Sequence, residues 1–185
     1  MTVDEWADMD EDDPGELVDG RLVEEEVPNL LHESLVAYLV RKLGDWVCPR
    51  GGFAFGSEGK YAVSPRGGRK PDVAVFFPGR AVPPIGVVRV PPDVCVEIVS
   101  RRPRDARRDR IDKLREYALF GVHYYWIVDP ALRTIEIFEL GADGRYAHAL
   151  ALTNGRADNV PGLAGFVLDA GELWAELDRL QASTR

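Results

Sequence analysis

The chain has 185 residues, 45% of them hydrophobic, and a formal net charge of −8. This length predicts one domain with an ordinary core, and no run of about 18 apolar residues predicts a membrane-spanning helix. The two cysteines, Cys48 and Cys95, form no CxxC motif, so neither a disulfide framework nor a zinc knuckle is indicated. The acidic start lacks the basic and apolar regions of a signal peptide, and we expect a cytoplasmic protein.

The charge is unevenly distributed along the chain. Residues 1–26 contain twelve acidic residues and one arginine, so the rest of the chain carries a net charge of +3. Residues 101–115, RRPRDARRDRIDKLR, contain eight basic and three acidic residues. We expect residues 1–13 to be an acidic leader, at least partly disordered, and residues 14–185 to be a single domain. The basic run indicates either a solvated helix face or a surface that binds nucleic acid.

The first elements in chain order are a hairpin and a helix. Residues 16–26, ELVDGRLVEEE, predict two short strands around Asp19-Gly20, a dipeptide typical of hairpin turns. From Asn29 to Leu43 the apolar residues recur at helical spacing, and Gly44 is the predicted end of that helix.

Strands dominate the middle of the chain. The Gly-rich residues 51–70 predict a strand, a turn and another strand, followed by a flexible loop. Residues 72–77, DVAVFF, predict a further strand, and the proline-rich residues 78–92 predict a loop. Residues 93–99, DVCVEIV, predict the next strand, and residues 104–120 predict a helix that Gly121 ends.

The last third predicts three strands and a helix. The predicted strands are residues 123–129, 133–140 and 145–152, and residues 171–180 have the apolar spacing of a helix that packs on the core. No repeat or linker divides the chain. The order of elements predicts one mixed α/β domain with a central mixed sheet flanked by helices.

Several common catalytic motifs are absent from the sequence. It contains no GxxxxGK[ST], GxGxxG, GxSxG or HExxH motif, and His32, His123 and His148 are scattered along the chain. A serine triad or a histidine-bound zinc is therefore not expected. The candidate catalytic residues that remain are carboxylates.

Asp72 and Glu97 each belong to a predicted strand of otherwise apolar character. Consecutive strands are often neighbours in a sheet, which would bring the two carboxylates close together. Such a pair repels unless a proton or a cation lies between them. A hard cation such as Mg²⁺ prefers oxygen ligands, and a metal held in this way suits phosphodiester hydrolysis.

Asp93 is an alternative partner for Glu97. It lies four residues earlier on the same face of the same strand, which is roughly 13 Å away at ~3.3 Å per residue. That distance is too long for one shared metal ion. We therefore expect Asp93 to begin the strand and Asp72 to be the partner of Glu97.

Lys113 is the candidate cation near the site. In the predicted helix, Asp109, Lys113 and Tyr117 share one face at i, i+4 and i+8. One interpretation is an exposed Asp–Lys pair on the helix surface. The other places Lys113 at the edge of the sheet beside the metal site, with the upstream arginines on the phosphates of a nucleic acid.

Three segments together resemble a known family. KPDVAVFF, PPDVCVEIVS and RRDRIDKLREYALFGVHYYWIVDP are similar to the Uma-type family of restriction-endonuclease-like proteins, within the PD-(D/E)XK nuclease superfamily. The early segment GELVDGRLVEEEVPNLLHESL also resembles the opening strand pair and first helix of that family. The resemblance covers roughly residues 14–140 and implies a restriction-endonuclease-like core with one metal-dependent centre for DNA cleavage.

The resemblance also implies roles for individual residues. Asp72 and Glu97 would be Mg²⁺ ligands, with the backbone carbonyl of Ile98 as a third. Val99 stands where the superfamily motif has its lysine, so the resemblance implies that Lys113 takes that role. Glu16 matches an acidic position that supports the metal or the water, and His32 is placed similarly but is expected to be structural.

The first functional hypothesis is a metal-dependent DNA endonuclease that uses Mg²⁺, or Mn²⁺ in its place. Cleavage of two DNA strands usually needs two centres, so this hypothesis includes a homodimer. The alternative is a catalytically inactive binding or regulatory protein of the same fold. A third hypothesis is a metal-dependent phosphodiesterase that acts on RNA or small nucleotides.

Overall fold

The structure, a computed structural model, describes residues 1–9, 15–24, 28–100 and 107–183. Its helices are α1 (Val3–Ala7), α2 (Leu30–Val47), α3 (Leu114–Phe120) and α4 (Ala170–Ala182), with a 3₁₀ turn at Cys48–Arg50 and a π-helical segment at Arg108–Lys113. Its strands are β1 (Glu16–Val18), β2 (Arg21–Val23), β3 (Phe53–Phe55), β4 (Tyr61–Ser64), β5 (Gly67–Arg69), β6 (Val73–Phe76), β7 (Val94–Ile98), β8 (Tyr124–Asp129), β9 (Thr134–Leu140), β10 (Tyr146–Leu152), β11 (Arg156–Ala157) and β12 (Leu168–Asp169).

Six strands form the central sheet, in the order β10-β9-β8-β7-β6-β3. Neighbouring strands are antiparallel except for β7 and β8, which are parallel. The π-helical segment and α3 lie between these two strands in the chain, because a parallel pair needs a crossover that returns to the same end of the sheet. The predicted mixed α/β architecture is therefore confirmed.

Helices cover both faces of the central sheet. On one face, α2 and α4 pack on alternate side chains of the strands, such as Val73, Val96 and Trp126. On the other face, α3 and β4 pack on the remaining side chains, such as Ala74, Cys95 and Tyr125. In the part of the chain that the structure describes, no helix is both long and apolar enough to cross a membrane.

A second sheet, β2-β1-β5-β4, carries the predicted hairpin. Strands β1 and β2 pair around Asp19 and Gly20, whose φ angles of 49° and 78° are those of a hairpin turn. The end of the Gly-rich stretch was predicted to be a flexible loop, but it forms the buried strand β5. Glycine is needed there because a Cβ on Gly68 would lie 2.3 Å from the Trp6 ring.

The described part of the acidic leader packs on this second sheet. Val3 and Trp6 of α1 are buried with Leu17 and Ala62, and Trp6 Nε1 donates a hydrogen bond to the Gly15 carbonyl at 3.2 Å. Residues 1–9 are thus part of the fold rather than a disordered tail. Residues 10–14 lie outside the described residues, and the boundary at residue 14 stays a prediction.

Helix α2 is longer than predicted. It continues past Gly44 to Val47 and then tightens into the 3₁₀ turn. Gly44 lies inside the helix against β3, where an added Cβ would make only an ordinary contact, 3.9 Å from the Ala54 side chain. The helical stretch ends at Gly51, whose φ of 89° is a left-handed conformation that favours glycine.

Candidate active site

The register between β6 and β7 brings Asp72 and Glu97 together. Val73 pairs with Val96 in this antiparallel pair, so the next step of the register places Asp72 opposite Glu97. Residues in such positions have Cβ atoms about 4.5–5.5 Å apart. Both side chains line one cavity of about 170 Å³. The structure therefore brings together the two carboxylates that the sequence singled out.

Asp72 is held by two neighbours at the end of β6. Its Oδ2 accepts a hydrogen bond from the Ile98 backbone N–H at 2.7 Å and lies 3.2 Å from His32 Nε2. Burial lowers the pKa of His32, but the hydrogen bonds and charges of Asp72 and Glu33 together raise it by more, so the net shift is upward. His32 was expected to be structural, and the structure places it in the cavity against a candidate metal ligand.

Glu97 points towards α3 from the middle of β7. Its Oε2 accepts a hydrogen bond from Lys113 Nζ at 2.9 Å, and its Oε1 accepts one from the Tyr117 hydroxyl at 2.7 Å. The side chain is only 4% exposed. Burial raises the pKa of Glu97 well above its usual range; Lys113 opposes the shift, and the charge of Asp72 adds to it.

Lys113 is buried between carboxylates. Besides Glu97, its Nζ lies 3.3 Å from Glu16 Oε1 and 3.6 Å from Asp109 Oδ1. Its side chain is 3% exposed, so the interpretation as an exposed Asp–Lys pair is wrong. The predicted stripe of Asp109, Lys113 and Tyr117 faces the sheet, although its first half is a π-helical segment, an irregularity often found at functional sites.

Val99, two residues after Glu97, is a buried core residue. It is 6% exposed and packs in the same core cluster as Tyr117, so the position two residues after Glu97 belongs to the core. Lys113 reaches Glu97 from the neighbouring helix instead. This geometry agrees with the placement that the resemblance implied, while the chemical role of Lys113 stays a prediction.

Glu16 lies behind Lys113 in a buried ion-pair network. Its Oε2 accepts a hydrogen bond from Arg69 Nη1 at 2.7 Å, and its Oε1 accepts one from the Lys70 backbone N–H at 3.0 Å. Burial raises the pKa of Glu16, but the charges of Lys113 and Arg69 and the hydrogen bonds from Arg69 and the Lys70 N–H together lower it by more, so the carboxylate is ionised. Glu16 is not among the residues that line the cavity, and it reaches the site through Lys113.

The donor set around the cavity suits a hard cation. The charged side chains that line it are Asp72, Glu97, Arg108, Asp109 and Lys113. Burial raises the pKa of Glu97 and of Asp109, and the charge of Asp72 raises both further, which is the repulsion that a cation relieves. Mg²⁺ is usually held by one or two carboxylates and several waters, so Asp72, Glu97 and the Ile98 carbonyl fit it.

A fuller protein cage for a metal is not present in the described ranges. Within them, no group of three or more histidine, cysteine, aspartate or glutamate side chains could hold a metal ion. Both Glu97 oxygens already have partners in Lys113 and Tyr117. A cation at Asp72 and Glu97 would therefore keep part of its water shell and share Glu97 with those partners.

Three residues of the site were not predicted as functional. Asp109 and Tyr117 lay on the Lys113 stripe, and their shared spacing was the signal that could have included them. Arg69 lies in a segment predicted to be a flexible loop, and no sequence signal marked it. Its burial follows from the pairing of β5 with β1, which only the folded sheet shows.

Two further predictions near the site concern Asp93 and the basic stretch 101–110. Asp93 is excluded from it, because its carboxylate accepts a hydrogen bond from the Phe77 N–H and pairs with Arg80 at 2.6 Å. Of the basic stretch 101–110, residues 101–106 lie outside the described residues. Arg108 lines the cavity, and Arg110 pairs with Asp129 and Glu136 at 3.0 and 2.5 Å.

Comparison with known proteins bears on the family and the fold of the chain. Residues 3–171 match the model of the Uma2 family, described as "Putative restriction endonuclease". A crystal structure titled "a putative nuclease belonging to DUF820", from Anabaena variabilis, has a TM-score of 0.77 and 21% identity and covers 96% of this chain and 99% of its own.

The comparisons establish the family and the fold. No curated protein matches the chain. The TM-score to the solved structure shows a shared fold, and the family match extends over most of the residues. The chain therefore belongs to the Uma2 family, and its family and nuclease-like fold support a nuclease.

Proposed function

We propose that this chain is a metal-dependent endonuclease that hydrolyses phosphodiester bonds in DNA. The observation that carries the proposal is the register-paired Asp72 and Glu97 at a cavity that also contains the buried ammonium group of Lys113. Two acidic oxygen donors and one cation are the groups that hydrolysis of a phosphodiester requires.

Asp72, Glu97 and the Ile98 carbonyl would hold the metal ion, Mg²⁺ or Mn²⁺. When bound, such an ion lowers the pKa of a water and neutralises charge on the phosphate. His32 and the Ile98 N–H fix the orientation of the Asp72 carboxylate, and Tyr117 does the same for Glu97. This support keeps both ligands in place before substrate binds.

Lys113 would act on the reacting groups directly. Its ammonium group is within hydrogen-bond distance of Glu97 and lies in the cavity wall. From there it would orient the attacking water or stabilise negative charge that develops on the phosphate oxygens. Asp109, 3.6 Å from Lys113, is a further carboxyl group beside the ammonium group.

The wider DNA contacts are proposed from the basic residues around the cavity. Arg107 is exposed immediately before the π-helical segment, and Arg108 lines the cavity. Together with the arginines at 101–106 they would neutralise backbone phosphates, which positions DNA without reading its sequence. Because each chain has one centre, cleavage of both strands would need a homodimer.

The test is cleavage of supercoiled plasmid with Mg²⁺ or Mn²⁺. We expect metal-dependent nicking by the wild type, and a loss of about a hundredfold or more in Asp72→Ala, Glu97→Ala and Lys113→Ala. Asp112→Ala is a matched control, because its side chain is exposed on the same helical stretch as Lys113. Full activity of either carboxylate variant would contradict the proposal.

A second candidate is a nuclease-fold protein that binds DNA without cleaving it. The observation that favours it is that both Glu97 oxygens already have partners, Lys113 and Tyr117, within the protein. This candidate predicts DNA binding that persists without divalent metal and no cleavage of any nucleic acid. The same plasmid assay, combined with a binding measurement in EDTA, separates the two.

A further inference from the structure

We propose that Arg69 is a positioning residue that keeps the Lys113 ammonium group on Glu97 rather than on Glu16. This inference rests on the proposed function for its catalytic consequence, but the position of Lys113 can be tested without it. Arg69 does not line the cavity and would act only through Glu16 and α3.

Arg69 is a fully buried guanidinium with two carboxylate partners. Its Nη1 donates to Glu16 Oε2 at 2.7 Å, while its Nε and Nη2 donate to the two oxygens of Glu116 at 2.6 and 2.8 Å. The side chains of Arg69 and Glu16 are 0% exposed, and that of Glu116 is 30% exposed. One side chain of β5 therefore ties β1 to α3.

Among the described residues, the carboxylates nearest to the Lys113 ammonium group are those of Glu97 and Glu16, and that of Asp109 is farther away at 3.6 Å. Its Nζ lies 2.9 Å from Glu97 Oε2 and 3.3 Å from Glu16 Oε1. In a buried site the ammonium group moves towards the carboxylate whose charge is less compensated. Arg69 neutralises Glu16 at close range, and Arg108 approaches the same oxygen, Oε2, at 3.8 Å. Because the guanidinium of Arg69 compensates the charge of Glu16, the ammonium group of Lys113 stays closer to Glu97.

Arg69 also has a mechanical link to the lysine. Glu116 lies three residues after Lys113, so the two-point contact between Arg69 and Glu116 holds the helix that carries Lys113. The charge effect acts through Glu16 and the mechanical effect through Glu116. Substitutions on the two sides of Arg69 can therefore separate them.

The test compares Arg69→Gln with Glu116→Gln in crystal structures and in steady-state cleavage kinetics. In Arg69→Gln we expect Lys113 Nζ to lie closer to Glu16 than to Glu97, and kcat to fall about tenfold or more with KM within about twofold. In Glu116→Gln the charge of Arg69 remains beside Glu16, so the charge effect predicts that Lys113 stays on Glu97 and that kcat stays within about twofold. A displaced Lys113 in Glu116→Gln would show that the contact with Glu116 holds the lysine and would overturn the charge effect.

The double variant Glu16→Gln, Arg69→Gln provides a rescue. With the competing carboxylate removed, Lys113 should return to Glu97, whereas a purely structural role for Arg69 predicts further damage. If Arg69→Gln does not fold, Arg69→Lys decides the matter. Its ammonium group keeps the charge beside Glu16, so Lys113 on Glu97 supports the proposal and Lys113 on Glu16 overturns it.

The outcomes separate this inference from the proposed function. An unchanged Lys113 position in folded Arg69→Gln overturns the role of Arg69, whatever the activity. A displaced Lys113 together with a wild type that cleaves no nucleic acid supports the positioning role and contradicts the endonuclease.

Discussion

At the scale of single residues, the site depends on buried charges that are only partly compensated. Glu97 carries a raised pKa because burial and neighbouring carboxylates outweigh Lys113. The pKa of Glu16 is shifted in the opposite direction, since Lys113, Arg69 and the Lys70 N–H together outweigh its burial. The pKa values of two glutamates that both contact Lys113 are thus shifted in opposite directions.

The lowered pKa of Glu16 predicts a pH-dependent contribution to stability. A carboxylate whose pKa is lower in the folded state than in the unfolded state stabilises the fold above its unfolded pKa. That stabilisation is lost as the pH falls through the folded pKa. We expect Glu16→Gln to destabilise the protein by about 3–5 kcal/mol at pH 7, because Arg69 and Lys113 lose a buried partner.

Urea unfolding of wild type and Glu16→Gln between pH 7 and pH 3 measures this effect. The difference in unfolding free energy should be constant down to about pH 5 and shrink below about pH 4.5. Glu58→Gln is a suitable control, because its side chain is 81% exposed and its contribution should be within about 0.5 kcal/mol. A difference that instead grows as the pH falls would contradict the assigned direction of the shift.

At the scale of elements, the register of β6 against β7 and the helical stripe that ends at Tyr117 build the site. The sequence predicted that the two strands are neighbours and that Asp109, Lys113 and Tyr117 share one helix face, because i, i+4 spacing along a helix is a local pattern. The register itself was not predicted, because it depends on how the two strands pair in the sheet. The lysine stripe was correct even though its first turn is π-helical. Arg69, by contrast, could not be found, since its partners Glu16 and Glu116 are 53 and 47 residues away in the chain.

The glycines give the clearest difference between local pattern and tertiary packing. Gly44 resembled a helix end but lies inside α2, and Gly68 resembled part of a loop but lies in β5 under Trp6. We expect Gly44→Ala to raise the unfolding free energy by about 0.5–1 kcal/mol, because alanine is the better helix residue and its Cβ meets only ordinary contacts.

Gly68→Ala is the matched comparison for Gly44→Ala. Its Cβ would overlap the Trp6 ring at 2.3 Å, so overpacking should destabilise the protein by about 1–3 kcal/mol. Thermal unfolding of both variants measures the two effects. A stabilised Gly68→Ala would show that α1 does not pack on β5 as described.

At the scale of the whole molecule, the mixed sheet, its flanking helices and the family follow from patterns spread over most of the chain. The acidic leader was harder to interpret, because composition alone does not show that Trp6 fills a pocket between β1, β5 and β4. The distribution of basic residues near the cavity leads to a further prediction about DNA binding.

Replacing Arg101 and Arg102 with alanine should weaken DNA binding about equally for different sequences. If both arginines contact phosphates, the slope of log K against log salt should become shallower by about 2, because each phosphate contact contributes about 0.9. Arg21→Ala combined with Arg145→Ala is the control, since Arg21 is exposed on β2 and Arg145 is exposed immediately before β10. An unchanged slope in the first pair would exclude the basic run from the interface.

The central claim is that Asp72 and Glu97 share one catalytic cation. Calorimetric titration of Mn²⁺ into the folded protein tests it most directly, with Asp72→Asn, Glu97→Gln and the exposed control Asp112→Asn measured in parallel. We predict one Mn²⁺ per chain in the wild type and in the control, and a loss of about tenfold or more in affinity in both site variants. Unchanged Mn²⁺ affinity in Asp72→Asn or Glu97→Gln would contradict the claim.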